Sequence, residues 1–257
     1  MTRKLTIGDI HTTDIVYYDP QYAQECLDFC KKRDIDLLPS IDDPHTVHIL
    51  DSDQLGFNET AVDSARIVHP ADNIFSPALL EKFRDYHLLL VHENDELVGV
   101  VHFADYAKPA VSVYLFEILF EYEKTLRALL EKRSFTDEDM LDYFRRRAAA
   151  KKKDQKYYGD KLDQYEKLRS KHEKLLPFQA FLLNDLIGFA VDQGVFSGKS
   201  RVTELRNAIA HARELVEKQD PTANDLIYDP DSFTRLFKLG TQLLVDYRRI
   251  YNLQNFV

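Results

Sequence analysis

A change of hydrophobic period near residue 108 constrains this chain more than any other feature. Before it, apolar residues come in short runs closed by acidic turns, as in "HLLLVHEND" and "ELVGVVHF". After it, from Pro109 onward, they recur at three- and four-residue spacing over long stretches, the period of helices. Charge changes at the same place. Residues 1–108 hold 9 Lys+Arg against 20 Asp+Glu, a net of −11, and the remainder has a net of +2 within a total of −9. The expectation is an α+β domain over residues 1–107 followed by an all-α helical bundle over 108–257. With 257 residues the chain is long enough for either module to bury a core.

Composition narrows the classes. Glycine is scarce at 8 residues, which leans away from Gly-rich phosphate-cradling folds. No run approaches the ~20 apolar residues of a membrane helix, and "MTRKLTIGDIHTTD" lacks a leader's apolar stretch. Cys26 and Cys30 lie four apart, one helical turn, and not in the Cys-x-x-Cys spacing of redox or zinc sites. They read as small core hydrophobes in a reducing cytoplasm. Seven of the nine His lie in the first half without metal-ligand spacing, so no metal site is expected.

Within the first half one plan occurs twice. Asp19-Pro20 starts a helix over "QYAQECLDFCKKRD", and "IDLLPSIDD" follows as a strand and turn. About fifty residues on, Ser76-Pro77 starts "ALLEKFRDY", and "HLLLVHEND" runs through an acidic turn into "ELVGVVHF". This repeat resembles a pair of cystathionine-β-synthase (CBS) motifs over about residues 5–107. The second copy carries the likeness best, in "LLLVHENDELVGVVHFADY"; the first, "DIDLLPSIDD…TVHILDSDQL", lacks the glycine and a clear terminal tetrad. Where the family often has Ser/Thr-x-x-Asp, this chain has His102-Phe103-Ala104-Asp105. The resemblance implies an adenine nucleotide as regulatory ligand, with His102 and Asp105 at its site. A carboxylate at Asp105 can accept both ribose hydroxyl protons. It can equally cap the turn that follows.

The second half reads as five or six helices with short links. "AVSVYLFEILFEYEKTLRALLEKR" is a helix whose Val113, Phe116, Phe120, Leu126 and Leu130 suit a bundle interior. Thr136 is the expected N-cap of the next, and Gly194 ends the apolar helix "PFQAFLLNDLIGFAVDQG". Residues 145–174 hold 12 Lys+Arg against 5 Asp+Glu, a basic stretch that can grip a phosphate backbone, with Tyr157 and Tyr158 available for stacking. The alternative is a solvated helix laced with i, i+4 pairs.

The helix expected from Ser200 to Lys218 contains "TELRNAIAHAREL". Leu205, Ile209 and Ala212 make an apolar stripe to which Arg206, Asn207 and His211 do not belong. At ~100° per residue Asn207 and His211 share a face, whereas Arg206 and His211 do not form one narrow stripe. Two copies across a two-fold axis bring Arg and His into a shared cleft, which predicts a homodimer through the 206–211 helix. Arg206-Asn207-Ala208-Ile209-Ala210-His211 resembles the "R-N-x-x-A-H" form of the Arg-x4-His motif of HEPN (higher eukaryotes and prokaryotes nucleotide-binding) domains, over about residues 109–255. Glu123 to Arg127 resembles the Glu-x-x-Leu-Arg of some subfamilies, expected to support the active face.

The resemblance implies a metal-independent endoribonuclease, acting on RNA in the cytoplasm in stress or anti-phage defence, with Arg206, Asn207 and His211 catalytic and no catalytic cofactor. His can move the 2′-hydroxyl proton near neutral pH, and Arg offers fixed donors to the charge on the phosphorane. Some toxin subfamilies continue His-x-Tyr; here Ala212 and Arg213 follow His211, so control through that Tyr is not expected. The alternative is a non-catalytic RNA- or protein-binding adenylate sensor.

Overall fold

A computed structural model describes residues 4–51, 53, 55–150, 152–171, 176–196, 201–210, 215–219 and 227–256. Six strands and eight α-helices are defined among them. The molecule divides into two compact units: residues 1–117 with 207–241, and residues 118–206 with 242–257. The mixed α+β first half and helical second half expected from periodicity are both present. The first unit also draws in residues 207–241.

In the first unit, Asp19 accepts from the Gln21 backbone N–H and Pro20 opens a short 3-10 turn that leads into α1, Ala23–Arg33. Strands β1 (Leu37–Pro39), β2 (Thr46–Leu50) and β3 (Phe57–Ala61) form an antiparallel sheet with Leu38 opposite His48 and Val47 opposite Thr60. Tyr18 bridges Ser40 in parallel just beyond β1. The second copy repeats this order. Strand β4 (Ile67–Val68) runs parallel to β5 (Leu88–Glu93), α2 (Pro77–Asp85) lies between them in sequence, and β5 pairs antiparallel with β6 (Glu96–His102). Asn94 and Asp95 turn the β5–β6 hairpin at φ 52° and 65°, a two-residue turn these side chains tolerate. Offsets of about fifty residues therefore hold for the hairpins as well as the helices.

Cys26 and Cys30 are buried against Leu38, as read from their spacing, and burial pushes the Cys30 thiol up to about 12, leaving it unreactive. A second core is aromatic. Tyr106, Phe75 and Phe83 pack with Phe233 and Phe237 of α8 (Pro230–Phe256), Tyr106 and Phe233 with ring centroids 4.9 Å apart. Gly240 makes room for it: an added Cβ would collide with Phe75 Cε1 and lie 2.7 Å from Cζ.

In the second unit, the later turns of α3 (Pro109–Lys132) lie with α4 (Asp137–Ala150), α5 (Lys152–Lys171), α6 (Leu183–Asp192) and most of α7 (Val202–Ala210). Thr136 caps α4 as expected, its N–H bonding Asp139 at 2.8 Å while its hydroxyl receives the Asp139 N–H at 3.3 Å. Tyr143 meets Tyr158 and Asp137 meets Tyr165, so α4 and α5 run antiparallel. Leu126 and Leu130 are buried as expected. Val113, Phe116 and Phe120 are not: they are 57%, 57% and 61% exposed. The buried stripe of α3 runs instead through Val111, Leu115, Ile118, Tyr122 and Leu129. Helix α3 is apolar on more than one face, and the expected face is the covered one only in its later turns.

Candidate functional site

The β6 strand ends at His102, and residues Phe103–Ala107 continue as a 3-10 turn. The turn is closed by a reciprocal cap. His102 Nδ1 accepts the Ala104 N–H at 3.2 Å, and Asp105 Oδ2 accepts the His102 N–H at 2.8 Å. Both residues expected at a nucleotide site are thus capping residues as well. Acceptance at Nδ1 fixes the neutral tautomer of His102 with its proton on Nε2. Burial pushes its pKa down to about 4, with nearby His87 adding to the effect.

Asp105 Oδ1 receives Lys108 Nζ at 2.8 Å. Burial raises the Asp105 carboxyl above the ordinary carboxylate range, and the hydrogen bond and charge of Lys108 partly offset it. Lys108 also donates to the Ile10 carbonyl and, at 3.2 Å, to Thr12 Oγ1. It ties the segment before α1 to the 3-10 turn. A carboxylate has about four lone-pair sites. The cap and Lys108 use one on each oxygen, so Asp105 keeps one on each for a ligand.

These residues border a cavity of about 480 Å³ contained in the first unit. Its apolar wall is Val16, Phe29, Ile35, Leu37, Leu38 and Val100; its polar groups are Thr12, Asp14, Arg33, His102, Asp105 and Lys108. The size lies within the ~300–1,000 Å³ of small-molecule pockets, and an apolar body with few polar anchors is their usual make-up. Arg33, at the end of α1, lies with its guanidinium 4.9 Å from the Phe29 ring centroid. Gly99 is what lets the first segment close this cavity. Thr12 and Val100 exchange both backbone hydrogen bonds, at 2.8 and 2.9 Å. An added Cβ at Gly99 would collide with the His11 ring and lie 2.9 Å from the Thr12 carbonyl oxygen.

The second set of expected residues is on α7. Val202 and Leu205 are buried, Ile209 is half-buried, and Arg206 and Asn207 are exposed. His211 and Ala212 lie outside the described residues, as do residues 213 and 214. The helix expected through Lys218 is not continued at residues 215–219, where Leu215 and Val216 are buried and Lys218 bridges Tyr228. Arg206 and Asn207 border neither cavity described here.

Three other side chains are committed to the scaffold. Arg127 pairs with Glu123 and donates to the carbonyls of Phe178 (3.2 Å) and Phe181 (3.1 Å). Tyr157, read as a stacking residue, donates to buried Asp185 at 2.7 Å, and Tyr158 packs against Tyr143 and Phe144. Sequence reading missed Arg33, Thr12 and Lys108. Only Lys108 carried a local signal, its three-residue spacing from Asp105.

Among the described residues, no group of three or more His, Cys, Asp or Glu could hold a metal ion, and no helix is long and apolar enough to cross a membrane. Comparison with known proteins finds no matching family model, no matching curated protein and no matching solved structure.

Proposed function

We propose that this chain is a metal-independent endoribonuclease of the HEPN type whose activity is regulated by an adenine nucleotide bound in a CBS-like first unit. The observation that carries the sensing half is the 480 Å³ cavity, lined both by apolar side chains and by Asp105 with acceptor capacity to spare. The base lies against Ile35, Leu37 and Val100, the ribose hydroxyls donate to Asp105, and Arg33 meets phosphate.

The cleavage half rests on Arg206-Asn207-Ala208-Ile209-Ala210-His211 and on the exposure of Arg206 and Asn207 on α7. His211 takes the proton of a ribose 2′-hydroxyl, the 2′-oxygen attacks the adjacent phosphorus, and the bond to the 5′-oxygen breaks. Arg206 stabilises the charge on the phosphorane and Asn207 orients it. The products are a 2′,3′-cyclic phosphate and a 5′-hydroxyl. A two-fold dimer through the 206–211 helix supplies both residues to one cleft. The cytoplasm and a role in stress or defence go with this reading.

The test is incubation of the purified chain with total RNA in chelator, with 3′ ends mapped. Cleavage to cyclic phosphate ends is expected, lost at least 100-fold in Arg206→Ala and in His211→Ala. Undiminished cleavage by both variants, or cleavage that chelator stops, sinks the proposal. A second reading, a non-catalytic adenylate sensor that binds RNA or protein, is favoured by the cavity alone. It predicts nucleotide binding with intact RNA.

A further inference from the structure

A second cavity, of about 260 Å³, lies wholly within the second unit, between one face of α5 and the turn before α6. Its aromatic lining is fully buried Phe144 together with Tyr165 stacked on Phe181, ring centroids 5.2 Å apart and planes 8° from parallel. The Tyr165 hydroxyl donates to Asp137 Oδ2 at 3.0 Å, which holds the ring in place. Leu168, 39% exposed, continues the apolar surface outward. The polar lining is Lys161, Gln164, Lys167 and Lys171, and among the described residues no carboxylate lines the cavity. That is a pointed local arrangement in a chain whose net charge is −9. Lys161 lies 3.3 Å from the buried Asp185, whereas Lys167 and Lys171 are exposed and in no ion pair among the described residues. The intrahelical pairs that would make this a merely solvated face are not formed among the described α5 side chains.

We infer that this cavity holds one nucleotide of a single-stranded RNA, with its base on Leu168 and the edge of the Tyr165–Phe181 stack, its polar edge on Gln164, and the flanking phosphates on Lys167 and Lys171. An ammonium-rimmed, apolar slot suits an anion with a flat apolar body, and base-on-aromatic contact with basic backbone contacts is how single strands are held. The volume selects a strand over a free nucleotide, because it falls below the ~300–1,000 Å³ that encloses a whole small ligand. It excludes a duplex, whose bases remain in the stack. The inference rests on the RNA-directed reading above and adds where the strand runs.

The experiment is fluorescence anisotropy with the full chain and a labelled 2′-O-methyl oligouridylate. That probe lacks the 2′-hydroxyl nucleophile, so binding is read without cleavage. Lys167→Gln/Lys171→Gln should weaken binding at least tenfold. It should also flatten the slope of log K against log salt by about 1.4, two phosphates at ~0.7 each. Lys31→Gln/Lys32→Gln on α1 should change neither. Equal affinity and slope in the Lys167/Lys171 variant overturns the subsite and leaves RNA cleavage standing. Binding that depends on Lys167 and Lys171 in a chain that cleaves no RNA supports the subsite and rejects the ribonuclease. Uridine monophosphate that binds at these lysines, with strand binding unchanged by their substitution, reassigns the cavity to a free nucleotide and overturns the proposal. A 4-thiouridine strand should crosslink to the 161–181 stretch; crosslinks confined elsewhere overturn it without reliance on any substitution.

Discussion

Lys108 Nζ stands 2.8 Å from Asp105 Oδ1 and reaches the segment nearly a hundred residues upstream through Ile10 and Thr12. One ammonium therefore both favours the charged form of the candidate ribose contact and ties down one cavity wall. The pair is only partly shielded, with 37% of the Lys108 side chain exposed, so its worth is modest.

Lys108→Met should cost about 1–2 kcal/mol by urea unfolding, between the ~0–1 kcal/mol of an exposed pair and the ~3–5 kcal/mol of breaking a buried one. It also removes what offsets burial at Asp105. A carboxyl whose folded pKa lies above its unfolded one contributes stability below the unfolded value and loses it as pH rises through the folded value. The variant should show a larger such loss than the parent across the carboxylate range.

Adenine nucleotides should raise the melting temperature, and Asp105→Ala should remove most of the gain. At a hundredfold excess over Kd, linkage gives about 2.7 kcal/mol. Differential scanning fluorimetry with millimolar AMP, ADP and ATP checks this; no shift with any of them would leave the cavity without its proposed ligand.

Acid should destabilise the first unit through His102. Its folded pKa, about 4, lies below the unfolded value of ~6.5. The unfolded chain then binds the extra proton, so stability is full above pH ~6.5 and lost as pH falls toward 4, by on the order of 3 kcal/mol. His102→Asn keeps an acceptor for the Ala104 N–H and should flatten that limb in denaturant titrations at pH 7 and pH 4.5.

Two glycines separate fold from site. Gly99→Ala should cost about 1–3 kcal/mol as an overpacked position and abolish the nucleotide shift, because it drives off the segment that walls the cavity. Gly240→Ala should also destabilise, through the Phe75 ring, while preserving that shift. If both variants respond to nucleotide alike, Gly99 has no special bearing on the site.

What could be read from sequence was local. The Asn94-Asp95 turn, the Asp19-Pro20 start and the Thr136 cap each depend on neighbours within a few residues. The fifty-residue repeat was legible for the same reason. Long-range choices were not. Phe116 and Phe120 sit at helical spacing just as Leu115 and Leu119 do, and only the packed neighbours decide which pair is covered. Tyr157 looked like a free aromatic in a basic run until Asp185, 28 residues on, supplied its partner. Asp105 and its capping role were legible in the sequence; its bond to Lys108 and its place on the cavity wall were not.

The aromatic core of the first unit has a consequence for synthesis. Phe83 and Tyr106 are completed by Phe233 and Phe237, which belong to the returning stretch 207–241. A ribosome adding ~5–20 residues per second delivers that stretch roughly 6–25 s after residue 117. Until then those rings have only one another and Phe75 for cover, and the nascent first unit waits, unfinished, on a segment made after the whole 118–206 stretch.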